Sequence, residues 1–321
     1  MKIGFAYNLK DPALAGTDAH AEYETGETID AITAVLAGQG EVVHLPCDSS
    51  FIDRITLHRP DIVFNIAEGW GDRDRESFVP VVCRMLGIPC TGSDAVTLGI
   101  TMDKALTKRL CRDAGIRTAP FEVCHDLPET PPPFGFPVLV KPNCDGSSRG
   151  ITRESLVADD QALAARIIEI LGDYRQPVLI EPYLDGRDFC MGLLGNGPPR
   201  LLATCEVLLG HEDGIPFFSH EYKRCDTDRL DFTPLIDTST VEEMEWAALT
   251  AFELLGCLDY VRCDFRTDEN GLPHLLEVNA LPGLSPVSGI FVRQAEASGI
   301  CFELLILSIL SRTRDRVSCR D

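Results

Sequence analysis

The 321-residue sequence has few positive charges: 29 lysines and arginines stand against 50 aspartates and glutamates, for a formal net charge of −21. An excess of negative charge on this scale disfavours nonspecific binding to nucleic acid and to anionic membranes. We therefore expect no nucleic-acid or membrane partner. An anionic ligand would need a locally basic pocket.

Long apolar runs are also absent, because charged residues interrupt each run well before it could span a bilayer. Residues 1–5 read directly as the start of a strand and show no signal-peptide pattern. A cytoplasmic location is the resulting expectation.

Paired cysteines of the Cys-x-x-Cys type are missing too, although the chain has 13 cysteines. Without such pairs the sequence indicates neither a zinc site nor a dithiol redox site. Most cysteines lie in apolar contexts, as at Cys83 and Cys111, which is typical of reduced core thiols. The 7 histidines show no metal-ligand spacing either.

The length of the chain suits two or three packed units. Its composition, with 45% hydrophobic and 25% charged residues, is typical of a well-packed globular protein. Near its start, strand and helix patterns alternate at residues 2–7, 27–36, 41–45, 51–57 and 60–65. This alternation predicts a parallel sheet with helices on its faces. Ligand residues in such sheets follow the carboxyl ends of strands, where the loop 67–72 lies.

Residues 259–283 read as two strands joined by a Glu-Asn-Gly turn. Residues two apart on a strand share a face, so Arg262 projects with Asp264, and Glu277 with Asn279. If the strands pair antiparallel, three oxygen ligands and one guanidinium converge, a set that suits Mg²⁺ and its nucleotide phosphates. The alternative is an ordinary hairpin with a solvated polar face, which the apolar neighbours in the second strand disfavour.

A strand that ends at Lys141 continues into a loop containing Gly146, Ser147, Ser148 and Gly150. The ammonium group can reach phosphate oxygens, the glycines allow backbone N–H groups to approach a triphosphate, and the hydroxyls add donors. An ordinary surface turn is the alternative, because Gly-Ser-Ser turns are common. The pattern is not that of a P-loop.

The segment Glu181, Pro182, Tyr183 and Leu184 resembles a connector whose backbone could pair with the edge of adenine, and Asp188 is placed to accept hydrogen bonds from ribose hydroxyls. Composition alone would make the same residues a buried strand and its exit turn.

Together these motifs resemble the ATP-grasp superfamily and, within it, the D-alanine:D-alanine ligase family. The resemblance covers nearly the whole chain, weakly at the start and strongly from residue 86 onward. Lys104 matches a nucleotide-binding lysine in the segment that leads into the family's central domain, and Lys141 with residues 146–148 is similar to its phosphate-covering loop. Six further positions follow the family pattern: Arg262, Asp264, Glu277, Asn279, Gly283 and Ser288.

The resemblance implies an α/β protein, α+β in parts, with the three-domain ATP-grasp fold. Residues 1–92 would form an N-terminal α/β substrate domain, 93–184 a central ATP-grasp subdomain and 185–321 a C-terminal catalytic domain. Nucleotide would lie between the last two domains. Homodimers are common among members of the family.

The implied activity is that of an ATP-dependent carboxylate–amine ligase, which joins small amino acids through an acyl phosphate and releases ADP and phosphate. ATP and Mg²⁺, or Mn²⁺, are the implied cofactors. The implied catalytic residues are Arg262, Ser147, Gly283 and Ser288. Those for nucleotide are Lys104, Lys141, Ser148, Glu181, Pro182, Tyr183, Leu184, Asp188 and Lys223, and those for metal are Asp264, Glu277 and Asn279.

Three departures from the family pattern affect the amino-acid pockets. A Ser-Glu-Arg-Glu loop is absent and leaves Glu22 or Glu24 as the stand-in, Glu68 replaces a histidine, and Arg224 replaces a tyrosine. The product therefore stays open between D-alanyl-D-alanine, another dipeptide or amide, and a cyclised amino acid. A nucleotide-binding regulator without turnover is the alternative from another class, disfavoured because a mere binder needs no oxyanion donor such as Arg262.

Overall fold

The structure is a computed structural model that describes residues 1–14, 17–18, 20–208, 217, 230–234 and 236–318. Its strands lie in three sheets, and these fall within residues 2–66, 122–182 and 188–279. Each sheet lies inside one of the three domain ranges expected from the sequence. The domain boundaries themselves stay a prediction.

The N-terminal unit is built on a parallel sheet with strand order β2-β1-β3, as the alternating pattern predicts. Its strands are β1 Lys2–Tyr7, β2 Glu41–Pro46 and β3 Ile62–Ile66, and its helices are α1 Gly26–Ala37, α2 Phe51–His58 and α3 Phe78–Leu86. Helix α1 begins after Thr25 because the hydroxyl of this residue accepts a hydrogen bond from the N–H of Thr28, as N-caps do.

The central unit carries an antiparallel sheet with strand order β4-β7-β5-β6. Its strands are β4 Glu122–Cys124, β5 Val138–Pro142, β6 Leu156–Val157 and β7 Val178–Pro182, and α4 Ala95–Met102, α5 Lys104–Asp113 and α6 Asp160–Asp173 accompany them. Asp103 caps α5 by accepting from the N–H of Leu106. This cap fixes Lys104 on the first turn of α5, facing the C-terminal sheet.

The C-terminal sheet has strand order β11-β10-β8-β12-β13, with β9 paired to β8. Its strands are β8 Asp188–Leu194, β9 Arg200–Leu201, β10 Cys205–Val207, β11 Leu230–Asp231, β12 Tyr260–Thr267 and β13 Pro273–Asn279. Helices α7 Thr238–Leu254, α8 Ile290–Ala297 and α9 Phe302–Ser318 belong to the same unit. Across the described ranges, no helix combines the length and the apolar character needed to cross a bilayer.

The predicted hairpin is present as β12 and β13, which pair antiparallel. Arg262 lies opposite Asn279 and Asp264 opposite Glu277, and the register shifts just after Asp264. The side-chain period of two in a strand therefore brings all four polar groups together on one face of the sheet.

A fully buried carboxylate, Asp259, joins the N-terminal and C-terminal units. It accepts hydrogen bonds from the N–H of Gly92 at 2.8 Å, the amide of Asn196 at 2.9 Å, the hydroxyl of Thr313 at 2.9 Å and the guanidinium of Arg316 at 2.6 Å. Asp259 has a left-handed backbone with φ of 62°, a strained conformation that persists where the surroundings fix it. We call this group the Asp259 clasp.

Candidate active site

Two neighbouring cavities meet at the β12–β13 hairpin. The larger cavity, about 290 Å³, lies between the loop at residues 21–25, the hairpin and the segment 279–289. The smaller cavity, about 100 Å³, lies between the central and C-terminal sheets. Lys104, Asp145 and Glu277 belong to the walls of both cavities, so ligands in the two would be in contact.

The Gly-Ser loop, residues 146–150, separates the two cavities. Ser147 lines the larger cavity and Ser148 the smaller one. Both serines have left-handed backbones, with φ of 50° and 55°, and Gly150 follows with φ of 68°. Successive residues of this kind can turn several N–H groups toward one side, which is how backbone nests bind anions.

Lysines on β5 and α5 meet the strand β7 carboxylate Glu181 in the wall of the smaller cavity. Glu181 pairs with Lys141 at 2.6 Å and also with Lys108, and all three side chains are buried. Burial alone would raise the pKa of Glu181, but the two ammonium groups lower it to about 2. The carboxylate therefore stays ionised and holds Lys141 at the cavity wall, while Pro182, Tyr183 and Leu184 line the cavity beside it.

Asp188, the predicted ribose acceptor, also lies in the smaller cavity but already has a cationic partner. Arg266 donates to its carboxylate at 2.7 Å, and also to the hydroxyl of Tyr183 at 2.8 Å and the carbonyl of Leu184 at 2.6 Å. Burial raises the pKa of Asp188 to about 6, and Arg266 opposes this rise. The sequence analysis missed Arg266, although its spacing from Asp264 places both on one face of β12.

The predicted metal ligands converge on the hairpin. The amide of Asn279 lies 2.9 Å from Asp264 and 3.4 Å from Glu277, while Arg262 makes two bonds of 2.7 and 2.8 Å to Asp264. Lys104 lies 3.1 Å from Glu277. Burial would raise the pKa of Glu277, but the nearby cations, Lys104 foremost, hold it well below its usual range.

This hairpin cluster has the chemistry of a hard-cation site, because it places two carboxylates beside one amide side chain. No three acidic, histidine or cysteine side chains form a metal-binding group among the described residues. A divalent ion here would therefore depend on Asp264 and Glu277, with Asn279 as its third protein ligand. The donor set fits Mg²⁺.

The far wall of the larger cavity carries Gly283 and Ser288, together with the guanidinium of Arg262. Glu24 approaches this wall, since a β-carbon added to Gly283 would lie 3.5 Å from one of its carboxylate oxygens. Burial raises the pKa of Glu24, although the hydroxyl of Thr28 and the N–H of Leu284 oppose this rise by hydrogen bonding. The geometry brings these predicted residues to one cavity.

The opposite wall of the larger cavity is acidic. Glu68 and Glu76 both line it and hydrogen-bond to each other. Burial, followed by the charge of Glu22, raises the pKa of Glu76 to about 8, and burial and Glu76 raise that of Glu68. Two such carboxyl groups share a proton rather than ionise together.

Sequence reasoning had named Glu68 and Glu22 but missed Glu76 and Arg75. Glu22 makes its ion pair with Arg75 at 2.7 Å, and both side chains are buried. No periodic pattern marks Arg75 and Glu76, because they lie in a 3-10 turn, residues 75–77. Lys223 and Arg224 lie outside the described residues.

Comparisons with known proteins give the site its context. A family model described as D-ala D-ala ligase C-terminus matches residues 110–311. The chain is 32% identical over 296 residues to an uncharacterised protein of Sinorhizobium fredii, covering 89% of this chain and 87% of that one. It is 32% identical over 256 residues to the D-alanine–D-alanine ligase of Pediococcus pentosaceus, covering 79% of this chain and 69% of the ligase.

The crystal structure of D-alanine–D-alanine ligase from Bacillus anthracis complexed with ATP has the same fold. The superposition covers 100% of both chains, with a TM-score of 0.79 and 21% sequence identity. The predicted α/β ATP-grasp architecture is thereby confirmed over the whole length. The chain belongs to the D-alanine–D-alanine ligase family and is an ATP-grasp, amide-forming ligase.

Proposed function

We propose that this ligase joins the carboxylate of one amino acid to the amine of a second through an acyl phosphate, releasing ADP and phosphate. The observation that carries the proposal is the position of the hairpin cluster, Arg262, Asp264, Glu277 and Asn279, where the two cavities meet. A phosphoryl donor in the smaller cavity and an acceptor in the larger one would react at this junction.

The smaller cavity would hold the nucleotide. Its walls supply the segment 182–184 for the base, Asp188 for the ribose hydroxyls and Lys104, Lys141 and Ser148 for the phosphates. Lys104 and Lys141 are nearly fully buried, which strengthens their attraction for phosphate oxygens because little water screens them. Lys223 is proposed as a further phosphate contact on the family pattern alone.

Asp264, Glu277 and Asn279 would hold Mg²⁺ or Mn²⁺. When bound, the ion neutralises phosphate charge during transfer. Arg262 pairs with Asp264 and Lys104 pairs with Glu277, so each of the two carboxylates has a cationic partner in the protein itself.

Bond changes in the proposed reaction balance without a redox step. A carboxylate oxygen of the first amino acid attacks the γ-phosphorus of ATP, and ADP leaves. The neutral amine of the second substrate then attacks the carbonyl carbon, the bond to phosphate breaks as the amide forms, and the departing phosphate takes up the proton that the amine nitrogen loses. Arg262 and the N–H of Gly283 would stabilise the oxyanion, while Ser147 and Ser288 would hold the reacting groups.

The carboxyl groups of the larger cavity would determine the specificity for the amino-acid substrate. An amino acid brings one ammonium group, and Glu24, Glu68 and Glu76 line the space that it would occupy. Glu22 contributes less charge, because Arg75 already neutralises it. D-Alanine, named in the relatives, is the first substrate to test, ahead of other amino acids and of cyclised products. Homodimerisation stays a prediction.

The decisive test is a substrate screen with the purified protein, ATP and Mg²⁺. Pairs of amino acids, beginning with D-alanine alone, are assayed for phosphate release, and the products are weighed by mass spectrometry. We expect phosphate only with a suitable pair, and a product lighter than the two substrates by one water. A screen in which no pair yields ADP or phosphate would instead support a nucleotide-binding regulator.

A further inference from the structure

The Gly-Ser loop adopts a conformation that its own sequence does not favour. Ser147 and Ser148 both have positive φ values, 50° and 55°, where residues other than glycine are uncommon. Such strained residues persist only when the surrounding structure fixes them, and they cluster at ligand-binding loops. The groups that hold this loop are therefore part of the nucleotide site even if they touch no ligand.

Both ends of the Gly-Ser loop are held by carboxylates of the N-terminal unit. The N–H of Gly146 donates to Glu22 at 2.7 Å, and the N–H of Gly150 donates to Asp18 at 3.0 Å. Asp18 is fixed in turn by the hydroxyl of Tyr174 at 2.6 Å. The two bonds join residues that are 124 and 132 positions apart in the sequence, so they connect the N-terminal unit to the central unit.

The guanidinium of Arg75 supports the Gly146 end of this arrangement, where Arg149 also bonds to Asp145 at 3.1 Å. Arg75, only 6% exposed, donates to both carboxylate oxygens of Glu22 at 2.8 and 2.7 Å. It also donates to the carbonyl of Cys144 at 3.0 Å and to Asp145 at 3.2 Å, the two residues just before Gly146. Arg75 thus connects the N-terminal loop to the start of the Gly-Ser loop.

Charge balance makes this connection sensitive to the loss of Arg75. The side chains of Glu22 and Asp145 are 8% and 1% exposed, and both contact the same guanidinium. Without Arg75, Glu22 would lose its ion-pair partner and Asp145 would keep Arg149 alone as its own, so the charges of these two neighbouring carboxylates would repel more strongly. At the other end Arg166, on α6, donates to the carbonyl of Gly150, so that end has support from its own unit.

We propose that Arg75 is a positioning residue for phosphoryl transfer: acting through Glu22 and Asp145, it holds the Gly-Ser loop in the conformation that receives nucleotide phosphates. We call Asp18, Glu22 and Arg75 the N-terminal latch. The inference rests on the proposed function, in which phosphates bind along this loop. Arg75 belongs to the wall of neither cavity, so its effect on nucleotide passes through the loop.

The test compares Arg75→Met, Arg75→Lys and a matched control, Arg73→Met. The Arg73 side chain is 68% exposed and makes one contact, 3.1 Å to Asp103. Affinity for ADP with Mg²⁺ is measured by calorimetry, and hydrogen exchange is measured at the amides of Gly146 and Gly150. We expect Arg75→Met to weaken ADP binding at least about tenfold and to speed exchange at Gly146 most, because the loop loses its support there.

Arg75→Lys retains the charge and should recover part of the affinity, whereas Arg73→Met should match the wild type in both measurements. In turnover, Arg75→Met should raise the KM for ATP more than it lowers kcat. Wild-type ADP affinity together with wild-type exchange at Gly146 in Arg75→Met would overturn the proposal, as would equal losses in Arg73→Met.

Circular dichroism checks that each variant folds. If Arg75→Met does not fold, Glu22→Gln breaks the same ion pair while it keeps an oxygen to accept from the N–H of Gly146, and it is subjected to the same measurements. Failure of the proposed function has a different signature. A wild type that produces no phosphate with any amino-acid pair refutes the ligation reaction, whereas the exchange data still decide whether the latch holds the loop.

Discussion

The two cavities differ in how their carboxylates are balanced. In the smaller cavity Glu181 lies between two lysines, and Asp188 pairs with Arg266. In the larger cavity Glu68 and Glu76 are hydrogen-bonded to each other. In the smaller cavity these two carboxylates therefore have cationic partners from the protein before a ligand binds. In the larger cavity Glu68 and Glu76 contact each other, and a cationic ligand could pair with them. The first arrangement suits a ligand that is the same in every turnover, such as the proposed nucleotide, and the second suits discrimination between amino-acid substrates.

The largest effect on stability is expected at Glu181, in the smaller cavity. Glu181→Gln leaves Lys108 and Lys141 buried without a counter-charge, so we expect a loss of about 3–5 kcal/mol in the free energy of unfolding. Urea denaturation measures it. Glu243→Gln is the matched control, since Glu243 and its partner Arg117 are 34% and 42% exposed and such pairs contribute about 1 kcal/mol or less.

The pH dependence of Glu181 follows from its lowered pKa of about 2. Its stabilising contribution is present above the ordinary value of about 4.3 and is lost as the pH falls toward 2. The wild type should therefore lose stability over this range more steeply than Glu181→Gln does. Equal stability of the two proteins at neutral pH would show that the buried triad is not balanced as described.

A smaller effect is expected at the junction of the cavities. Glu277→Gln removes a carboxylate from the hairpin cluster, and we expect Mg²⁺-dependent nucleotide affinity to fall roughly 30-fold, about 2 kcal/mol. Calorimetry with and without Mg²⁺ separates this loss from any change in metal-free binding. Glu269→Gln, at an exposed position in the turn of the same hairpin, is the control. Unchanged affinity in Glu277→Gln would remove Glu277 from the metal site.

A further change in stability with pH is expected at Glu76, in the acidic wall of the larger cavity. The pKa of Glu76 is raised to about 8, so the folded protein binds more protons than the unfolded chain between about pH 4.3 and 8 and loses stability as the pH rises through this range. Glu76→Gln stays neutral and should gain stability relative to the wild type as the pH rises from 5 to 9. Urea midpoints at the two pH values test this, and parallel pH profiles would contradict the shared proton.

Much of the hairpin was predictable, because short-range geometry determines it. Arg262 and Asp264 must share a face of β12, and a turn must return β13 beside them, so the cluster follows from spacing alone. Arg266 follows from the same spacing. The fold as a whole was predicted through the family resemblance, which the comparisons confirm.

The contacts of Arg75 and Glu76 resisted prediction because they join distant parts of the chain. Arg75 meets Glu22 and Asp145 across separations of 53 and 70 residues, and nothing in the local sequence around any of them indicates the other two. Glu76 acquires its raised pKa only from burial beside Glu68 and Glu22, which no sequence window contains together. Tertiary packing, rather than periodicity, creates these groups.

The Asp259 clasp has a consequence for the order of events during synthesis. Asp259 is translated 57 residues before Arg316, its ion-pair partner in α9. Chains emerge from the ribosome N-terminal end first, and their parts begin to fold in that order. Until α9 has emerged, Asp259 lacks its guanidinium partner. The contact between the N-terminal and C-terminal units at Asp259 is therefore complete only after the last helix has emerged.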